Sequence, residues 1–304
     1  MISTKSLLAL VPFVAGAFAQ SKQVISPELR RDQIYNPIMN YMPPTQSHWD
    51  QWGAGWTLED CYNFARERGQ NPADYEVFNV HYTDCSEPWI MCRHRSAKVD
   101  QIRMIDMIGR LPVRVRQHIK HFIVSYDIGP YAGLYWGGNI AIDDESLDMY
   151  VLMHEASHAL DFSALRQYGS PFSETAIWKD NWAQDSRIPT GYAAGNWVEN
   201  FAESGPIGLY DRYVPGGIGN IQPNWSQIFH QYATYQGYLG DTIQYGGTCP
   251  SRIPNSKVVS MYGRSAKVST AAMGEMPDVS FKSANVTVLE EVVGSVSCDK
   301  SHFH

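Results

Sequence analysis

The sequence predicts an α+β fold that is mostly helical and contains a small mixed sheet. In several segments apolar residues recur at helical spacing, whereas shorter segments alternate and are rich in aromatic and β-branched residues. Neither an internal repeat nor a clear linker divides the chain. We therefore expect one domain rather than several.

Residues 1–19 have the pattern of a secretory signal peptide. A single Lys5 precedes an apolar run, and Ala17-Phe18-Ala19 matches the small-x-small pattern at which signal peptidase cuts. The apolar run is too short and too interrupted to span a bilayer, which takes roughly 20 apolar residues. We expect cleavage after Ala19 and a secreted, extracellular protein.

After the signal peptide, residues 20–249 form the predicted domain, and residues 250–304 form a C-terminal tail. The domain begins with an irregular part that holds at most one short helix. Thr57 and Gly69 are of the residue types that begin and end a helix, and Asn196 begins another. In chain order, we predict helices at 26–35, 57–68, 99–108, 147–160, from 170 onward, at 196–205 and at 225–238. We predict strands at 75–84, 121–127 and 137–143.

The composition excludes some classes of partner. The net charge is −7 at pH 7 and no block of basic residues occurs, which argues against nucleic acid or an anionic membrane surface. We therefore expect neither a nucleic-acid nor a membrane partner. Asn224 and Asn285 begin Asn-x-Ser/Thr glycosylation sequons, in keeping with secretion.

The few cysteines are better suited to disulfides than to a metal site if the compartment is oxidising. They are Cys61, Cys85, Cys92, Cys249 and Cys298. Cys85 and Cys92 are close enough in sequence to close a short loop, and Cys249 and Cys298 are placed to anchor the tail with a cystine. The odd count leaves one thiol unpaired or bridging to another chain. Spacing alone does not fix the connectivity.

One short motif, HEASH at residues 154–158, has the spacing of a metal site. His154 and His158 are four residues apart on a predicted helix, so both imidazoles face the same side. Zn²⁺ held by three protein ligands keeps one position for a water, whose pKa falls to about 7. Glu155 is placed to take a proton from that water. The motif predicts two zinc ligands and a general base.

Three carboxylates compete for the place of the third ligand. Asp161 follows His158 by three residues on the same helix, which favours a hydrogen-bonding role over ligation. Glu174 remains open, because an acid at the start of a helix also suits the helix dipole. Glu199 lies in NWVENFAES, where Glu203 follows it by four residues. One of this pair could ligate the ion while the other orients a ligating histidine.

The segments HEASH and GYAAGNWVENFAES together resemble the catalytic region of the anthrax-lethal-factor-like (ATLF-like) zinc metallopeptidases, a gluzincin group related to the clostridial Pro-Pro endopeptidases. In that family a Tyr precedes the ligating Glu by seven residues, and the Glu opens an E-x-F-A-E segment. Here Tyr192 precedes Glu199 by seven, and residues 199–203 match that segment. The resemblance covers about residues 137–205.

The resemblance implies a zincin-like metallopeptidase domain built around an HExxH active-site helix. It implies one Zn²⁺ per chain, held by His154, His158 and Glu199. It makes Tyr192 a phenol donor to the oxyanion of the reaction, where a hydroxyl stabilises developing negative charge. Glu203 takes the place of a carboxylate that orients a ligating histidine.

The function expected from these patterns is that of a secreted zinc endopeptidase that acts on a peptide or protein substrate as a monomer. In that class of enzyme, the strand predicted at 137–143 is the sheet edge that offers its backbone to an extended peptide. The alternative is a catalytically inactive secreted effector or binding protein that keeps the zincin fold. Because Glu155 and Tyr192 serve only the chemistry and both are present, the sequence favours the endopeptidase.

Overall fold

The computed structural model describes residues 22–263 and 273–303, and the predicted signal peptide lies outside them. The α-helices of this part are α1 (Arg31–Tyr41), α2 (Glu59–Glu67), α3 (Gln101–Gly109), α4 (Val113–Arg116), α5 (Met149–Ala159), α6 (Ala176–Gln184), α7 (Trp197–Tyr213) and α8 (Phe229–Leu239). The strands are β1 (Ser47–Gln51), β2 (Trp56–Leu58), β3 (Tyr75–Tyr82), β4 (Trp89–His94), β5 (His121–Ser125), β6 (Tyr131–Trp136), β7 (Asn139–Asp143), β8 (Ser251–Arg252), β9 (Val258–Ser260), β10 (Thr287–Val288) and β11 (Ser295–Asp299).

Seven of these strands form one mixed sheet, in the order β1-β3-β4-β5-β7-β6-β11. The central strands β4, β5 and β7 are parallel, and the pairs on either side of them are antiparallel. Every residue of the three central strands is buried, as expected of parallel strands that are covered on both faces. The sheet is larger than the small one expected from the sequence, because strands such as β1, whose residues are all exposed, lack a hydrophobic pattern.

Side chains of the central strands point alternately into two hydrophobic cores on opposite faces of the sheet. In β5, Phe122 and Val124 contribute to the larger core and Ile123 to the smaller one. The larger core also takes residues from α1, α3, α5, α7 and α8, and the smaller one takes residues from α2. Within residues 22–263 and 273–303, none of the helices has the length and apolar character needed to cross a membrane.

The expectation that residues 137–143 form a sheet edge is wrong. Strand β7 lies inside the sheet, between β5 and β6. The edge strand on that side of the sheet is β11, which pairs antiparallel with β6. In this pairing Cys298 lies opposite Gly133. A strand from the predicted tail therefore completes the sheet beside α5.

Most predicted helices form, but tertiary contacts shift their ends. Helix α2 begins at Glu59 rather than Thr57, because Thr57 pairs with Val259 in the small sheet of β2 and β9. Helix α5 begins at Met149 rather than at residue 147, because the side chain of Asp148 caps it. The short N-terminal helix expected at 26–35 lies further along the chain, as α1.

Helix α7 is longer than the sequence predicts. Asn196 caps it as predicted, because its side chain accepts a hydrogen bond from the backbone N–H of Glu199. The expected end at Gly205 is wrong, and the helix continues through Pro206. Gly205 packs against α5, where a Cβ would overlap the hydroxyl of Ser157. The glycine therefore serves close helix packing rather than a helix end.

The disulfides join Cys61 to Cys92 and Cys85 to Cys249, and Cys298 is a free, buried thiol. The short loop expected between Cys85 and Cys92 and the cystine expected between Cys249 and Cys298 do not form. The tail is nonetheless anchored by a cystine, since Cys249 at its start is bound to Cys85 just after β3. Further along, β11 joins the main sheet, so the tail is part of the domain.

Candidate metal centre

Helix α5 carries both histidines of the HEASH segment into the core. Every residue of the helix is buried. The Nε2 atoms of His154 and His158 lie 3.2 Å apart, and the two rings stand almost perpendicular at a centroid distance of 4.9 Å. Both imidazoles therefore face one point, as their spacing predicts.

The first turn of α7 brings Glu199 to the same point. Its Oε2 atom lies 3.2 Å from Nε2 of His154 and 3.6 Å from Nε2 of His158. Glu174, the alternative that the sequence left open, instead forms an ion pair of 2.6 Å with Lys179 at the surface. The structure thus groups Glu199, and not Glu174, with the histidines.

Cys298 on β11 adds a fourth donor that the sequence analysis missed. Its Sγ atom lies 3.2 Å from Nε2 of His154 and 3.5 Å from Nε2 of His158. The donor atoms of His154, His158, Glu199 and Cys298 all lie within 4.8 Å of one another, and all four residues are buried. The feature of the sequence that could have pointed to Cys298 is the odd number of cysteines, which leaves one of them without a disulfide partner.

Five of the six separations within this group are close to the edges of a coordination tetrahedron. Zn–N and Zn–O bonds of about 2.0–2.1 Å give edges of roughly 3.3 Å, and a Zn–S bond of about 2.3 Å gives N–S edges of roughly 3.6 Å. The observed separations are 3.2 Å between the imidazoles, 3.2 and 3.6 Å from the carboxylate, and 3.2 and 3.5 Å from the sulfur. The donor set therefore fits a divalent metal ion.

Glu203, one turn further along α7, fixes the orientation of His154. Its Oε1 atom lies 2.7 Å from Nδ1 of His154, so that Nδ1 donates to Glu203 and Nε2 faces Glu199, His158 and Cys298. Its Oε2 atom accepts hydrogen bonds from the hydroxyls of Tyr150 and Thr190, at 2.9 and 2.5 Å. The contact with His154 is the one that the sequence predicts for Glu203.

The pocket favours positive charge. Burial lowers the pKa of His154, but Glu199 and Glu203 outweigh it and raise that pKa to about 10. Burial raises the pKa of Glu199, but His158 and His154 outweigh it and hold that pKa at about 2. A site whose carboxylates keep a proton on a buried imidazole also favours a metal cation.

Glu155 is buried beside the thiol of Cys298. Burial raises the pKa of Glu155, and His158 and His154 act against this. Gly133 on β6 makes room for the carboxylate, because a Cβ there would overlap it. Burial also raises the pKa of the Cys298 thiol, and the carboxylates of Glu155 and Glu199 act in the same direction. A coordinated cation has the opposite effect and deprotonates the thiol.

Tyr192 and Asp161, which were both predicted for the site, differ in their position. The ring of Tyr192 lies beside that of His154, at a centroid distance of 5.9 Å. The hydroxyl of Tyr192 donates to the carbonyl of Ser297 at 3.2 Å and accepts from the backbone N–H of Asp299 at 3.3 Å, so it holds β11. Asp161 accepts hydrogen bonds from the N–H and the hydroxyl of Ser173, both at 2.7 Å, rather than from a ligating histidine. Burial raises the pKa of Asp161 to about 7.

The two predicted glycosylation sites lie at the surface. Asn224 and Asn285 are both exposed. The side-chain amide of Asn224 donates to the carbonyl of Ser26 at 2.7 Å. Their glycosylation stays a prediction.

Comparison with known proteins identifies relatives of the chain. A family model described as Conidiation-specific protein Con-13 matches residues 35–292. Conidiation-specific protein 13 of Neurospora crassa is 30% identical over 183 residues, which are 59% of this chain and 53% of that protein. The chain thus spans about half the length of this curated relative. No solved structure matches the chain at a significant level.

These matches correct the function expected from the sequence. The resemblance to the ATLF-like peptidases is wrong, because the family model that covers most of the chain describes a different family. The predictions of a zinc endopeptidase and of a hydrolase are wrong as well, since the matched descriptions name no enzymatic activity. The alternative of an inactive zincin effector is wrong for the same reason, because the matches point to a different family. Glu155 was predicted to act as general base and Tyr192 as oxyanion donor on a peptide substrate. These roles and this substrate were inferred from the peptidase activity and are withdrawn with it.

Proposed function

We propose that this chain, which belongs to the Con-13 family of conidiation-specific proteins, binds one divalent metal ion in its core. The ligands are His154, His158, Glu199 and Cys298. The observation that carries this proposal is the convergence of their four donor atoms within 4.8 Å of one another, with five of the six separations close to the edges of a coordination tetrahedron.

The proposed site is closed. Zinc sites with four protein ligands are typically structural, whereas catalytic zinc sites keep a position for water or substrate. Cys298 takes that fourth position. Two neutral imidazoles, one carboxylate and one thiolate also balance the charge of a divalent ion, so that the occupied group carries no net charge into the core. The ion is therefore proposed to stabilise the fold.

The donor types favour Zn²⁺ among the divalent ions. Imidazole and thiolate ligands suit zinc and copper, and tetrahedral coordination by nitrogen and sulfur is typical of zinc. The two disulfides are in keeping with an oxidising compartment, so we also propose an extracellular location. The histidine-bearing α5 beside the mixed sheet supports a zincin-like fold as a further proposal.

Metal content tests the site directly. Protein loaded with Zn²⁺ and then desalted should retain about one ion per chain, as measured by inductively coupled plasma mass spectrometry. Glu199→Ala should retain much less, because a charged ligand is lost, whereas Glu174→Ala is a matched control that should retain as much as wild type. Wild-type protein that holds no more zinc than a His154→Ala/His158→Ala variant would rule the site out.

Cobalt substitution tests whether Cys298 is a ligand. Tetrahedral Co²⁺ bound through a thiolate should give visible d–d bands and a sulfur-to-cobalt charge-transfer band in the near ultraviolet. Cys298→Ser should lose the charge-transfer band, because an alcohol oxygen replaces the sulfur. Bound Co²⁺ without that band in the wild type would show that the fourth ligand is not the cysteine.

A further inference from the structure

We infer that the metal ion fastens the C-terminal strand β11 to the sheet, so that metal binding and docking of this strand strengthen each other. The inference rests on the proposed metal site and concerns its regulation. Three of the four ligands belong to helices α5 and α7, and only Cys298 belongs to β11. An ion bound to all four joins the strand to the body of the protein.

Strand β11 buries little of its own surface. Among the strands that the structure describes, it lies at the edge of the sheet and pairs with β6 alone. Ser295, Ser297 and Asp299 are exposed and Val296 is partly exposed, whereas Cys298 is fully buried. Because the hydrophobic contribution to docking scales with apolar area removed from water, the side chains other than Cys298 contribute little.

Besides burying Cys298 and packing Val296 in part against the larger core, the strand region makes polar contacts. The hydroxyl of Tyr192 bonds the backbone on either side of Cys298. The N–H of Gly137 donates to the carbonyl of Gly294 at 2.9 Å. After the strand, Nζ of Lys300 lies 2.8 Å from Asp143. Hydrogen bonds and ion pairs near the surface contribute modestly, because water competes for the same groups.

The body of the site is assembled without the strand. Helices α5 and α7 pack against each other, and Gly205 lets their backbones approach closely. Without an ion, docking of β11 places the thiol of Cys298 beside the buried carboxylates of Glu155 and Glu199 and the imidazole of His154. With an ion, the same sulfur gains a metal bond. Because such coupling is reciprocal, a docked strand raises metal affinity by the same factor by which the ion favours docking.

Hydrogen exchange measures docking of the strand. In full-length, disulfide-intact protein, backbone amides of residues 295–299 should exchange at least about tenfold faster after chelation than with Zn²⁺ bound, because local opening becomes easier. Amides of β3, on the far side of the sheet, should change little. Alkylation of Cys298 gives a second readout, since the other four cysteines are in disulfides.

Three variants separate coupling from general destabilisation. In Cys298→Ala, exchange of residues 295–299 should no longer respond to Zn²⁺, because the link between ion and strand is gone. Ser295→Ala, an exposed position on the same strand, is the matched control and should respond as the wild type does. Lys300→Gln removes a contact that does not involve the ion, and so weakens docking of β11. The affinity for Zn²⁺ should fall by the factor by which docking weakens in the absence of Zn²⁺, up to the full coupling factor.

The outcomes distinguish this inference from the metal site itself. If Zn²⁺ does not bind, the proposed function fails and the inference fails with it. If Zn²⁺ binds in a stable protein but exchange of residues 295–299 is equal with and without it, the inference is overturned and the metal site stands. The inference is also overturned if Cys298→Ala responds to Zn²⁺ as strongly as Ser295→Ala.

Discussion

At the scale of single residues, the carboxylate partners of a buried histidine decide the direction in which its pKa shifts. Glu199 and Glu203 raise the pKa of His154 against the effect of burial. His118 and His121 have no carboxylate hydrogen-bonded to them, and burial lowers their pKa values to about 4 and about 3. Burial alone disfavours the imidazolium, and only paired carboxylates reverse this. The metal centre is thus set apart by the partners of its histidine rather than by its depth.

We expect His118 to make the protein less stable in acid. Its pKa is about 4 in the folded protein and 6.5 for an unperturbed side chain, so the unfolded chain binds more protons between these values. The free energy of unfolding should therefore fall as the pH drops from 6.5 towards 4, by at most about 3 kcal/mol, with no contribution above this range.

Urea unfolding at pH 7 and pH 4.5 measures this effect. His118→Gln removes the titrating group, so the variant should lose less stability than the wild type between the two pH values. Equal losses in the two proteins would show that the pKa of His118 is not lowered by folding.

At the scale of secondary-structure elements, the contact between α5 and α7 determines the geometry of the site. His154 and His158 lie on α5, and Glu199 and Glu203 lie on α7. The backbones come close where Gly205 of α7 faces α5. Any separation of the two helices moves the carboxylates away from the imidazoles.

Gly205→Ala should separate these helices. The new methyl group would overlap the hydroxyl of Ser157 and lie 3.0 Å from its Cβ. We expect the variant to be about 1–3 kcal/mol less stable, as overpacked cores are, and to bind zinc more weakly. Thermal unfolding and a competitive zinc titration measure the two effects.

Gly237→Ala is the control for this substitution. Gly237 lies in α8 and has no atom within 4 Å of its Cβ position, so alanine there should be neutral or slightly stabilising. Adding Ser157→Ala to Gly205→Ala removes the overlapping hydroxyl and should recover part of the loss. If Gly205→Ala behaves as Gly237→Ala does, the two helices are not in close contact.

Local patterns in the sequence predict the elements that carry three of the four donors. The spacing of HEASH, the cap at Asn196 and the helix that follows it all rest on neighbours within a few residues, and all appear in the structure. Cys298 could not be found in this way, because its contact with His154 joins segments far apart in the chain. Strand β11 alternates over only five residues, with Val296 partly and Cys298 fully buried, and so short a pattern does not identify the partner of Cys298.

At the scale of the whole molecule, residues 250–263 and 273–303 are tied to the rest of the domain at several points. The Cys85–Cys249 disulfide fixes their beginning, and β11 completes the main sheet near their end. The backbone N–H groups of Lys282 and Ser283 donate to the buried carboxylate of Glu87 in between. The segment is therefore expected to unfold together with the rest of the protein.

Loss of the Cys85–Cys249 disulfide should destabilise the whole fold. The cross-link spans 164 positions of sequence, so its removal frees a large loop in the unfolded chain. We expect Cys85→Ser/Cys249→Ser to lower the free energy of unfolding by about 2–5 kcal/mol, measured by denaturant unfolding.

The second disulfide provides the comparison. Cys61–Cys92 spans 31 positions, and loop entropy alone makes its contribution about 1.5 kcal/mol smaller. A larger loss for Cys61→Ser/Cys92→Ser would show that packing around that buried cystine, rather than loop length, sets its contribution.

Cys298 is the last of the four donors in chain order. A nascent chain emerges N-terminus first, so His154, His158 and Glu199 are made before β11 exists. Until β11 arrives, the outer edge of β6 is an unpaired strand of the kind that invites pairing with other chains. We therefore expect the sheet to close and the proposed metal site to be completed together, late in biogenesis, and this closing covers the open edge of β6.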